Sequence, residues 1–217
     1  MTRETVVLLH GIFRGRADMW PLQKYLEFKG YDVLNISYPA RRRKLEDLAF
    51  ILHHKIHKHK KYNPSAKLHF VTHSLGGLLA RYYIRDFCPE NIGKVVMLGP
   101  PNSGSEWADY MLKKSWLKPV FSFGFGPVGE QLLTTHVHDD CEDAEYELGI
   151  IAGRKNAVPF AKYILEGASD GMVPIERTKH KNMTAHLVME VTHTYMITKP
   201  SVMRQVAIFL QNGKFAD

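Results

Sequence analysis

Cysteine is almost missing from this sequence. Cys88 and Cys141 are the only two among 217 residues, which excludes a disulfide-stapled scaffold. Long apolar runs are missing too, and none approaches the ~20 residues needed to span a bilayer. Acidic residues are in deficit: 22 Asp and Glu stand against 29 Lys and Arg, leaving a formal charge of +7. What is present is ordinary. At 45% hydrophobic and 24% charged, the chain is far from disordered compositions and can bury the core of one domain spanning 1–217. An apolar run that starts at Thr5 leaves no room for a signal peptide, so the expected location is cytoplasmic.

The positive charge gathers at Arg41-Arg42-Arg43-Lys44 and between His53 and Lys61. Such clusters suit solvated helix faces, and they also attract anionic membranes or nucleic acid. A nucleic-acid platform would need aromatic residues interleaved with the charges, and these clusters have none. Nucleic acid is therefore not an expected partner, whereas peripheral contact with an anionic membrane stays open.

Short β-rich apolar runs alternate with longer segments of helical spacing, the pattern of parallel strands joined by crossover helices. Strands are expected at Thr5–His10, Tyr31–Ser37, Lys67–Thr72, Lys94–Leu98, Leu148–Ala152 and Ala185–Val191. Helices are expected at Trp20–Lys29, Leu45–Lys61, Leu75–Phe87, Ser103–Lys118 and Ser201–Leu210. The stretch Pro119–Glu147 reads as neither strand nor long helix, and 100–147 is expected to form a partly irregular cover. The fold class is α/β, a mostly parallel six-stranded sheet with helices on both faces.

The third expected strand runs into a helix through Thr72-His73-Ser74-Leu75-Gly76-Gly77. A serine at such a junction can sit on a tight turn with its hydroxyl raised at the carboxyl end of the sheet, as in G-x-S-x-G. Thr72 replaces the first glycine, and the Ser-x-Gly-Gly half is intact. An ordinary helix N-cap serine would occupy the same place.

An activated serine needs a base, and the base needs a carboxylate to orient it. In the chain order Ser, Asp, His, these partners should follow the last two strands. Asp170 lies in Gly167-Ala168-Ser169-Asp170-Gly171-Met172-Val173-Pro174, and His193 lies just past the final strand. The rival acids Asp139, Asp140 and Asp143 precede the fifth strand, and the rival bases His180 and His186 come before or within the sixth. The tetrahedral oxyanion needs two N–H donors. Leu75 supplies one, and Ile12 in His10-Gly11-Ile12-Phe13 is the expected second. His10 is expected to brace that loop.

Together these four motifs resemble the α/β-hydrolase superfamily, over almost the whole chain. The segment Leu98-Gly99-Pro100-Pro101-Asn102-Ser103-Gly104-Ser105 is similar to that of compact bacterial lipase-like members. The resemblance implies an α/β-hydrolase fold lacking the N-terminal antiparallel strands of larger members. It also implies a serine hydrolase of carboxylic esters with catalytic Ser74, Asp170 and His193, oxyanion donors Ile12 and Leu75, and no cofactor or metal. The same machinery suits a thioesterase or acyltransferase, and the fold alone suits a non-catalytic binding protein. Phe13, Trp107, Phe121, Phe123 and Phe125 are candidate substrate-binding residues. The aromatic surface after the fourth strand is either core cover or an acyl groove.

Three weaker patterns carry little. Gly124-Phe125-Gly126-Pro127-Val128-Gly129 spells a dinucleotide fingerprint in the wrong place, with a proline that has no N–H to offer. His136-Val137-His138-Asp139-Asp140-Cys141 is an incomplete metal pattern, and His53 with His57 lacks the glutamate of a metalloprotease helix.

Overall fold

Near-continuous runs of Val, Leu and Ile without polar alternation make strands that must be covered on both faces. The computed structural model describes residues 2–136 and 145–216, and there six strands form one sheet, with the most buried runs at its centre. They are β1 (Thr5–Leu9), β2 (Asp32–Ile36), β3 (Leu68–His73), β4 (Ile92–Leu98), β5 (Leu148–Gly153) and β6 (Ala185–Met189). Their order is β2-β1-β3-β4-β5-β6, and every neighbouring pair is parallel.

Successive strand residues point to opposite faces, which splits the core in two. Val7, Leu9, Phe70, Val95 and Met97 pack with helices α2 (Leu45–His57) and α3 (Leu75–Phe87). Val6, Leu8, Val71, Val96 and Ile151 pack on the other side with α1 (Trp20–Phe28) and α7 (Pro200–Asn212). Each fully buried Leu, Val or Phe here contributes about 1.5–3 kcal/mol.

The strand order places the site. From β1 the chain crosses to β2 on one side, and from β3 it proceeds to β4 on the other. The carboxyl ends of β1 and β3 therefore flank the switch point, where open α/β sheets leave a crevice. Register pairs Leu9 with Thr72, so continuing each strand by two residues brings Gly11 beside Ser74.

One expectation needs correction. The segment after β4 is not one helix over 103–118 followed by irregular chain. It consists of α4 (Glu106–Lys113), a 3₁₀ turn (Ser115–Leu117), α5 (Lys118–Phe125) and a 3₁₀ helix (Gly126–Leu132). Lys114 leaves the helical region at φ −93 and ψ 106, which ends α4. Pro119 lies within the first two positions of α5, where a missing N–H costs nothing, so it starts a helix there. Helix α6 (Ile175–Thr178) is a single turn after the Asp170 loop. His138, Asp139, Asp140, Cys141 and Asp143 lie outside the described residues. Among the described residues no helix is long and apolar enough to cross a membrane.

Candidate active site

Ser74 joins β3 to α3 with φ 53 and ψ −123, a conformation that side chains other than glycine rarely enter. Such strain persists only where the surroundings impose it, and it collects at functional sites. The surroundings here are tight. Ser74 N–H donates to Leu98 O at 2.9 Å, and its carbonyl accepts from Gly77 N–H at 2.9 Å. A Cβ on Gly76 would lie 2.6 Å from Leu9 O, so α3 is packed directly on the end of β1. The Ser74 hydroxyl makes no capping bond to α3, so this is not an ordinary N-cap serine. Thr72, in place of glycine, is fully buried beside Gly77. Its buried Oγ1 has no hydrogen-bond partner among the described residues.

Asp170 and His193 come together from the loops after β5 and β6. His193 Nδ1 lies 2.7 Å from Asp170 Oδ2, and the carboxylate is fully buried. The other oxygen, Oδ1, accepts from Met172 N–H at 2.9 Å and Val173 N–H at 2.8 Å. Those two donors fix the carboxylate plane, and an anion buried with this many donors is compensated. With a carboxylate as its partner, Nδ1 carries the proton, which leaves Nε2 as the free basic nitrogen. His193 N–H also donates to Asp170 O at 3.0 Å.

His73, the residue before Ser74, holds the histidine loop from below. Its Nε2 lies 2.9 Å from His193 O, and the two rings are 4.7 Å apart between centroids. Burial pushes its pKa well below the usual histidine value, so the ring is neutral and Nε2–H donates to the carbonyl. The sequence offered no role for His73.

Ser74 and His193 open into a cavity of about 250 Å³ also lined by Ile12, Phe13, Leu75, Pro101, Phe125, Leu132, Met172 and Val173. Leu75 begins α3, so its N–H has no intrahelical acceptor. Ile12 N–H makes no hydrogen bond among the described residues. Gly11 lets this loop close on the serine: a Cβ there would be 3.2 Å from Ser74 Cβ. His10 is buried, stacks on Tyr38 with centroids 4.3 Å apart, and accepts at its carbonyl from the Tyr38 hydroxyl.

The aromatic candidates divide. Phe13 and Phe125 line the cavity and meet edge to face, 5.1 Å apart. Phe121 is buried in the core under the 3₁₀ helix, and Phe123 is 90% exposed on the opposite side of α5. Trp107 does not line the cavity either. Its Nε1–H donates to Gly171 O at 3.2 Å and so ties α4 to the Asp170 loop. Arg14, Ser105, Met172, Val173 and Thr194 line the cavity without having been singled out in the sequence. Their loops follow different strands, and only the assembled crest brings them together.

The rival residues are occupied elsewhere. His186 lies in β6 with Nε2 2.9 Å from Thr178 Oγ1, and His180 is buried near Asn182. The His53 and His57 rings lie 4.0 Å apart on α2 and tilted to each other, His53 stacks on Phe87, and the described residues contain no group of three side chains that could hold a metal ion. The Gly124–Gly129 pattern falls at the end of α5 and in the 3₁₀ helix, with no strand before it.

A model of the alpha/beta hydrolase fold family matches residues 4–121, and the chain belongs to that family. Among solved structures, the lipase BlEst2 of Bacillus licheniformis in its propeptide form superposes with a TM-score of 0.81 at 18% identity. That match covers 100% of this chain and 51% of the other. The mature form gives 0.77 at 18% identity, covering 99% of this chain and 93% of the other. Phospholipase PlaB of Legionella pneumophila gives 0.75 at 17% identity, covering 97% of this chain and 60% of that one. This chain thus spans about half of the BlEst2 propeptide form and three-fifths of PlaB. No curated protein matches the sequence.

Proposed function

We propose that this member of the alpha/beta hydrolase fold family is a serine hydrolase that cleaves carboxylic esters through an acyl-enzyme on Ser74. One observation carries the reading. A serine in a strained strand-to-helix turn shares a cavity with an imidazole that is paired at 2.7 Å with a buried carboxylate.

The chemistry follows from these groups. Ser74 Oγ attacks the acyl carbonyl while His193 Nε2 takes its proton. Asp170 holds the tautomer of His193 and stabilises the imidazolium, and Met172 and Val173 N–H groups keep that carboxylate in plane. The oxyanion is met by the N–H groups of Ile12 and Leu75. His193 returns the proton to the leaving alkoxide, and a water activated by the same imidazole then releases the acid. The apolar wall of Phe13, Phe125, Leu132 and Met172 suits a small-molecule ester or lipid whose acyl part is greasy. Arg41 stacks over Phe13 with its guanidinium carbon 5.9 Å from the ring, and the Arg41–Lys44 cluster is exposed beside it. That arrangement supports peripheral contact of the cavity mouth with an anionic membrane.

Intact-mass measurement after exposure to a fluorophosphonate tests the reading. A single adduct is expected on the wild type and none on Ser74→Ala. A folded wild type that stays unlabelled, or a mutant that labels equally, would sink it and favour a binding protein on the same fold.

A further inference from the structure

This inference rests on the ester-hydrolase reading and concerns what the same cavity selects. Apart from imidazoles, Arg14 is the only ionisable side chain among the described residues lining the cavity that holds Ser74 and His193. No carboxylate among the described residues lines that cavity. Arg14 is placed by the turn after β1, in which its N–H donates to Gly11 O at 3.1 Å. Its guanidinium is held by Asp18, with Nη1 3.2 Å from Oδ1, while Asp18 Oδ2 accepts from Gly15 N–H at 2.8 Å.

That contact is monodentate. It uses one of five guanidinium donors and leaves the planar fork available. The pair is about one-third exposed on each side, so it contributes little to folding. Its effect is on orientation: a carboxylate anchored by a backbone N–H fixes where the cation stands.

A purely apolar ester filling this cavity would strip water from Arg14 and return nothing for it. An ester bearing an oxyanion group would instead meet charge-assisted, bidentate hydrogen bonds. We infer that Arg14 is a substrate-binding residue and that the ester this site takes carries a carboxylate or phosphate group. Arg41, stacked on Phe13 at the same mouth, adds a second cation that draws such a substrate in.

Matched ester pairs test this. Mono-4-nitrophenyl glutarate against 4-nitrophenyl valerate puts the anion on the acyl side. 3-Acetoxybenzoate and 3-acetoxyphenyl phosphate, each against 3-acetoxybenzamide, put a carboxylate or a phosphate on the alcohol side. The wild type should favour the anionic member of at least one pair in kcat/KM by roughly ten- to hundredfold at low salt. That ratio should fall towards one in Arg14→Gln and be partly kept in Arg14→Lys. In the wild type alone it should shrink as salt rises and the screening length falls from about 10 Å at 0.1 M to about 3 Å at 1 M. A wild-type ratio near one in every pair, or a preference that neither Arg14→Gln nor salt alters, overturns the inference and leaves Ser74-dependent hydrolysis standing. A wild type that cleaves no member of any pair and takes no fluorophosphonate overturns both.

Discussion

At the turn that carries Ser74, backbone touches backbone. Gly76 stands against the Leu9 and His10 carbonyls, Gly11 against Ser74 itself, and Ser74 N–H reaches across to β4. In the cover above it, residues 106–132, short helices are held largely by side chains, though Gly126 also packs its backbone on the Arg41 carbonyl. Trp107 reaches Gly171, Asp109 accepts from both the N–H and the hydroxyl of Thr134, and Gln131 bonds Leu45 N–H and Glu46. Much of the remaining cover faces solvent, including Trp116, Val120 and Phe123. The two regions meet at one cavity and divide the work. A floor packed backbone on backbone suits the proposed reacting groups, because a misplacement of about 1 Å costs ~10²-fold in rate. A cover joined by separable contacts can vary in shape while the chemistry beneath it is kept.

The largest effect expected from this division is on the rate, in the loops that complete the floor. In Asp170→Asn the oxygen facing Met172 and Val173 N–H groups can stay, so the loop should keep its shape. The amide NH₂ would then face His193 Nδ1 and force the proton onto Nε2, where the base must be empty. A drop in kcat of about 10⁴ is expected, with little change in melting temperature. Steady-state kinetics checks this. A loss smaller than tenfold would mean that the buried pair is structural and that the floor's rigidity serves folding alone.

A glycine substitution made once in each region sharpens the contrast. In Gly76→Ala the new methyl would sit 2.6 Å from Leu9 O and 3.0 Å from His10 O, both backbone atoms. Relief would require moving the end of β1, and with it the Ile12 N–H. A stability loss of about 3 kcal/mol, the upper range of overpacking, is expected in denaturant unfolding, together with slower fluorophosphonate labelling. A variant as stable and as reactive as the wild type would show that the floor yields after all.

The same contrast explains what could be read from the sequence. The most buried strands announce themselves as largely apolar runs, and β1 to β6 were recognisable to within a few residues. Ser74, Asp170 and His193 were chosen by position, each in the segment that follows a strand, and the structure brings His193 against Asp170 and opens Ser74 and His193 to one cavity. The cover has no such frame. Taking Pro119 as the start of irregular chain hid a helix that this proline begins, and the helix separates Phe121 and Phe125 from Phe123 by simple periodicity. Residues four apart share a face, and the Phe121 and Phe125 rings stack 4.7 Å apart. Arg14 was illegible for another reason: the role proposed for it comes from a cavity whose walls belong to loops distant in sequence.

The second half of the glycine comparison has the smallest expected effect and the opposite sign. Gly124 lies in the last turn of α5, and a Cβ added there would meet nothing within 4 Å. Its backbone is helical, so alanine lowers the entropy of the unfolded chain without any clash. Gly124→Ala should therefore stabilise the protein by roughly 0.5–1 kcal/mol, less if the end of α5 frays, and leave ester hydrolysis within about twofold. Unfolding midpoints measured beside Gly76→Ala decide the matter. If alanine at 124 instead costs more than about 1 kcal/mol, α5 is packed against more than its exposure shows. The cover would then belong to the same rigid unit as the floor, and its helices could not be exchanged to change substrate without loss of the fold.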